Sequence, residues 1–267
     1  MLSKNETRAR AVHALLAAAV DDPVLLERLR RQAATQQAGS PLDLERVRLF
    51  AGLAVKVRQN DVRLSLPLTF KLLDKLKISL ALFAAYAAQA AALRQANKKS
   101  RADKREAISR FIESWLSPDD PDHALARDML HHECALLDCN AHHAAATVTP
   151  ATVSPKSAPR RAAGLAQHEM SCDPLALARL LRSPDGALAS LRRGQFHYLY
   201  GWDARRGGIT VRQLDELGHI LLTLADGRMS VARLAQALRQ AGIAVTRAEL
   251  CGATQKLVDD GILLLRP

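Results

Sequence analysis

The stretch Gly194–Gly227, "GQFHYLYGWDARRGGITVRQLDELGHILLTLADG", changes its periodicity part-way through, and that change decides the fold. Its first part alternates, carries aromatic and β-branched residues, and brackets the turn signal "DARRGG", a pattern that predicts a β-hairpin. From Leu214 onward the apolar residues recur at Leu217, Leu221 and Leu224. That spacing predicts a helix ending at Asp226 and Gly227.

Downstream, "SVARLAQALRQAG" places Val231, Leu234 and Leu238 on one helical face and stops at Gly242. "TRAELCGATQKLVDDG" opens with Thr246 and Glu249 in capping-box spacing and ends at Gly261, before the short strand "ILLL". Hairpin, three helices and a closing strand form a winged-helix pattern. Upstream, the segment Asn140–Gln167 contains three prolines and many small residues without apolar periodicity, which reads as a flexible linker. The expected organisation is therefore a helical domain over 1–139, a linker over 140–167 and a winged-helix domain over 168–267.

The first of these domains reads as helical throughout. "PLDLERVRLFAGLAVKVRQND" is expected to turn Leu42, Leu44, Val47, Leu49 and Phe50 toward a buried side. "LTFKLLDKLKISLALFAAYAAQAAAL" predicts one or two packed helices. "ADKREAISRFIESWL" sets Ile108, Phe111, Ile112 and Trp115 at helical spacing before "SPDDP", and "HALARDMLHHECALLDC" closes the bundle.

Composition agrees with a mainly α fold. The chain has 267 residues, 48% of them hydrophobic but only 4% aromatic, and is rich in Ala, Leu and Arg. No apolar run reaches membrane-spanning length, and "MLSKNETRAR" lacks the apolar core of a signal peptide. Four cysteines are too sparse for a secreted disulfide framework, so a cytoplasmic location with reduced thiols is expected. The net charge of +11 is spread along the chain, with its densest run between Arg94 and Arg110.

"LHHECALLDCNAHH", Leu130–His143, is the one stretch that resembles metal chemistry. A zinc-hydrolase helix needs histidines at i and i+4 with glutamate between, yet Leu136 stands where the second histidine belongs to His132. Cys134 and Cys139 have no second cysteine pair to complete a tetrahedral site. A metal enzyme built on Asp128, His132 and Cys134 is therefore a minor alternative, and the expectation is no metal site and no catalytic residue in this chain. Phosphate-binding glycine loops, nucleophile elbows and dinucleotide fingerprints are absent from the sequence.

A winged helix suggests either DNA or peptide binding. The candidate recognition helix, Thr246–Asp260, sets Arg247 and Lys256 against Glu249, Asp259 and Asp260. Its net negative charge removes the phosphate attraction on which DNA binding rests, so a DNA-binding transcription regulator is the second reading. Peptide capture needs an open sheet edge beside a helix. Ile209, Val211 and Arg212 are the candidates for the pairing strand, with Arg247 and Lys256 as contacts for an acidic peptide.

"LDELGHILLTLADGRMSVARLAQAL" with "LVDDGILLL" resembles the RiPP recognition element, the winged helix that binds leader peptides of ribosomally made natural products. The resemblance runs from about Gln195 to Arg266. It departs where that family has its first strand, since "PLALARLLRSPDGALASLRRG" reads as helical. In the first half, "RQNDVRLSLPLTFKLLD" resembles partner proteins of multinuclear non-heme iron-dependent oxidases, of the thiaglutamate and aminopyruvate type. The resemblance implies a non-catalytic partner subunit. It would bind a precursor peptide, dock an oxidase that carries the iron, and hold no cofactor of its own.

Overall fold

The computed structural model of the chain describes residues 60–96, 104–141, 151–203 and 207–265, with scattered helical positions between 25 and 57. It divides into two compact units, Met1–Leu130 and His131–Pro267. The boundary lies inside a helix, nine residues earlier than the expected end of the first domain at 139.

In the first unit, α1 (Asn60–Ser65) leads through Leu66 into α2 (Pro67–Lys75), with the proline at the start of the helix where no amide hydrogen is needed. The run expected as one or two helices is two, because α3 (Ser79–Ala96) starts after a break at Lys77. Lys77 has φ of 61°, and the Lys77 and Ile78 amides donate to Asp74 and Leu73 carbonyls, a left-handed helix cap made without glycine. α4 (Lys104–Trp115) and the first part of α5 (Pro121–Ala141) follow. Ile108 and Ile112 are fully buried, as their spacing predicts, and Phe70 stacks on Phe83 with ring centroids 5.5 Å apart.

The expectation for Leu49 and Phe50 is not met. Phe50 is 60% exposed and Leu49 44%. This helical segment is buried instead through Gly52, where a Cβ would lie 2.7 Å from the Leu80 carbonyl oxygen and 3.2 Å from Ala84 Cβ. Lys56, one turn on, pairs with Asp74 and donates to Ser79 Oγ at 3.2 Å, while Arg63 reaches the other Asp74 oxygen at 3.2 Å. Partial burial alone would raise the Asp74 carboxyl, but Lys56, Ser79 and Arg63 outweigh it and hold it below the usual carboxylate range. A close backbone approach and an ion-paired lysine, rather than the bulky residues, thus select the buried face. Leu42, Leu44 and Val47 lie outside the described residues.

The second unit is an α+β arrangement. β2 (Ala166–Cys172), β3 (Arg193–Asp203) and β4 (Gly208–Leu214) form an antiparallel sheet in the order β2-β3-β4. The expected hairpin is β3–β4, with Tyr200 opposite Val211 and Leu199 opposite Arg212. β2 supplies a third strand ahead of α6 (Pro174–Arg182), the segment that reads as helical. α7 (Glu216–Leu224), α8 (Val231–Gln240) and α9 (Arg247–Asp259) then stack on one face of the sheet around Leu199, Leu221, Leu234, Leu250 and Leu257. The Thr246–Glu249 capping box is formed, and Gly227, Gly242 and Gly261 have φ of 80°, 83° and 72° where the helices are expected to stop.

The segment expected as a flexible linker is ordered from Ala151 onward. β1 (Pro159–Arg161) pairs with β5 (Leu263–Leu265). Pro155 and Ser157 carbonyls accept from the Ala232 and Val231 amides, so an extended stretch caps the start of α8. Gln255 holds it further, accepting from the Val153 amide at 2.8 Å and donating to the Ala151 carbonyl at 3.1 Å. Proline and small residues here satisfy helix ends and a strand edge, and such pairing leaves no apolar period in the sequence.

Candidate functional site

Alternation along the sheet sorts its side chains onto two faces. Tyr198, Tyr200, Met170, Ile209 and Val211 fall on one face, with Ala135, Cys139 and Leu136 of the α5 end packed against them. Leu199, Gly201, Thr210 and Arg212 fall on the other, toward α9. The expected pairing-strand residues are therefore split: Ile209 and Val211 cover α5, and Arg212 alone faces α9.

Arg212 ion-pairs with Asp260, the residue that ends α9. Together they wall a cleft of about 50 Å³ between β3, β4 and the α9 end, lined also by Leu165, Gly201, Thr210 and Ile262. Among the described residues β4 pairs with β3 only and is the end strand of the sheet. Lys256 is exposed one turn before Asp260, on the same side of the helix. Arg247 is exposed at the opposite end, about 14 Å farther along the axis and half a turn round, so it does not converge with the others.

The histidine- and cysteine-rich stretch lies on α5, facing the sheet. His132 is 3% exposed, and its Nδ1 shares a 2.9 Å hydrogen bond with the Tyr200 hydroxyl, which lies 3.8 Å from Met170 Sδ. His131 stacks on His168 at 5.0 Å. Burial, reinforced by the charge of Arg182 and only partly opposed by Asp173, lowers the His132 pKa to about 4 and keeps the imidazole neutral. Burial, with Asp138 beside it, pushes the Cys139 thiol up, away from the thiolate form that would make it reactive. Tyr198 is raised in turn by burial and by its hydrogen bond to Asp173. These are the properties of packed side chains. Among the described residues, no group of three or more His, Cys, Asp or Glu side chains is placed to hold a metal ion.

A second histidine pair was not anticipated from sequence, where His197 and His219 stand 22 residues apart. β3 and α7 bring their rings to 3.7 Å, stacked, and Gln167 Nε2 donates to His219 Nδ1 at 2.7 Å. Burial, then the neighbouring His197, lowers the basicity of His219. The pair borders an open pocket of about 460 Å³ with Gln195, Gln213 and Glu216. Strand register could have suggested His197 faces the helices, but no sequence signal pairs it with His219.

No helix among the described residues is long and apolar enough to cross a membrane. The chain matches no protein-family model and no curated protein.

Proposed function

We propose that this chain is a non-catalytic partner subunit. Its second unit, read as a winged helix of the RiPP recognition element type, binds the leader of a ribosomally synthesised precursor peptide, and its first unit docks a multinuclear non-heme iron-dependent oxidase that modifies the peptide. The observation that carries the reading is β4 at the end of the sheet, with the C-terminal end of α9 reaching its Arg212 through Asp260 beside a cleft. An extended peptide can continue the sheet through main-chain hydrogen bonds while one side chain enters the cleft. The exposed apolar residues Leu49, Phe50, Leu53 and Val57 give the first unit a surface suited to a protein partner. Holding the leader on one subunit raises the effective concentration of the segment to be modified at the neighbouring iron site.

The test starts with the tagged full chain purified from its native host and mass spectrometry of the chains that come with it. A co-purifying precursor peptide is then titrated against the protein. Thr210→Arg, which fills the cleft, should weaken binding at least tenfold, and Arg247→Ala, at the far end of α9, should leave it unchanged. Loss of affinity in Arg247→Ala with none in Thr210→Arg would refute this location. Copurification of neither oxidase nor peptide would refute the function.

A further inference from the structure

β3 and the start of α7 meet through two imidazoles. The His197 and His219 rings stack with centroids 3.7 Å apart and planes 19° from parallel. His197 Nδ1 is buried and, among the described residues, has no hydrogen-bond partner. His219 Nδ1 accepts from Gln167 Nε2 at 2.7 Å, and the same Nε2 donates to the His219 carbonyl at 3.4 Å. Two acceptors on one side of Gln167 fix which way its amide points, because turning it over would set the amide oxygen against the carbonyl oxygen.

Both Nδ1 atoms are therefore held as bare nitrogens, with the single proton of each ring on Nε2. An imidazolium carries a proton on both nitrogens. On His197 the second proton would be a buried donor without an acceptor, and on His219 it would point at the amide hydrogens of Gln167. Two charged rings stacked this closely would also repel each other. The charged groups that face the pair do not reverse this. Glu169 of β2 stands opposite His197 in register and favours a proton on His219, but burial and His197 outweigh it, and its Oε1 already accepts from Gln195 at 2.9 Å. Glu216, one turn before His219 on α7, borders the same pocket, and the neighbouring Asp215 carboxylate accepts from the Gly218 amide at 2.7 Å. From β4, Gln213 and Leu214 complete that rim, and neither titrates.

We infer that the His197–His219 stack is an acid-released latch: with both rings neutral it holds the start of α7 on the sheet, and protonation parts the rings and lets Glu216–His219 lift away, widening the pocket they border. The rest of α7 stays seated, because Leu221 and Leu222 are buried in the leucine-rich core. The latch needs neither peptide nor oxidase to act. Its direction follows from where the proton binds better. Released, His219 has the ordinary histidine value near 6.5, and latched it is less basic. The contribution of the neutral form is thus complete above about pH 6.5 and lost as pH falls through the lower value of the latched form, favouring release by up to about tenfold at one pH unit below 6.5.

The test is amide hydrogen exchange of the full chain, read by mass spectrometry at pH 7.5 and 5.5 and corrected for the chemical exchange rate at each pH, with α8 as the internal reference. The peptide Leu214–Leu221 should exchange at least about threefold faster at the lower pH while α8 does not change. In His197→Phe with His219→Phe, two rings that can stack but do not titrate, the difference should vanish. His132→Gln should keep it, which separates the pair from the other histidine held neutral. If the double variant loses helical content, His197→Phe alone serves, followed by NMR titration: removing the neighbouring imidazole should raise the His219 midpoint above that of the wild type. Equal exchange of Leu214–Leu221 at both pH values, a rise shared by α8, a difference kept in the double variant or lost in His132→Gln, or an unmoved His219 midpoint in His197→Phe would each overturn the latch.

Discussion

At the residue scale, the histidine with the most metal-like sequence context does not meet a solvent-accessible cleft. His132 belongs to a stretch that resembles a metal site, yet its position on α5 puts it under the sheet, hydrogen-bonded to Tyr200 and held neutral. This predicts an acid-sensitive second unit. The folded pKa of about 4 lies below the ordinary histidine value near 6.5, so the unfolded chain binds the proton more readily. The stability contributed by the neutral form is complete above about pH 6.5 and lost as pH falls toward 4, a change on the order of 3 kcal/mol. Urea unfolding at pH 7 and pH 4.5 should show that loss in the wild type and a clearly smaller one in His132→Gln, which keeps a hydrogen-bonding group but does not titrate. Equal losses in both would place the acid sensitivity elsewhere. Leu165 is the converse case. As a leucine in a stretch of prolines and small residues it carries no sequence signal, and it packs where the bare backbone of Gly201 leaves room for it.

At the element scale, the parts with strong local signals are legible. The β3–β4 hairpin, the three following helices, the Thr246 capping box and the glycine stops all follow from spacing and end chemistry. β2 is harder, because "AQHEMSC" has no run of β-branched residues and becomes a strand by pairing with β3. β1 is three residues long and exists through β5. The break between α2 and α3 has a cap in the left-handed conformation but a lysine, not a glycine, to adopt it. A side chain there costs roughly 1 kcal/mol relative to glycine. Lys77→Gly should therefore raise the stability of the first unit by about that amount, measured by chemical denaturation. A destabilised variant would mean that the lysine side chain makes a compensating contact.

At the scale of the whole molecule, the proposed function needs each unit to present its own surface. In the first unit, Leu49, Phe50, Leu53 and Val57 lie along one side of a helical segment and are 44%, 60%, 44% and 66% exposed. Apolar side chains grouped this way are characteristic of surfaces that a partner covers. If the proposed function holds, Phe50→Glu with Val57→Glu should leave the helical content of the chain intact and abolish co-elution with the proposed iron-dependent oxidase, while the proposed peptide binding by the second unit is unchanged. Full co-elution of that variant would move the docking surface elsewhere.

The sequence by itself determined the succession of helices, the hairpin and the helix ends, since those depend on periodicity and capping within a few residues of one another. Only the tertiary structure decided which side of the helical positions between 49 and 57 is buried, that Ala151–Gln167 is an ordered extended segment, and that Leu165 and Gly201 meet. Each of these depends on a backbone approach or a strand edge supplied by residues distant in the chain, and a glycine or a proline-rich stretch carries no pattern of its own to announce its partner.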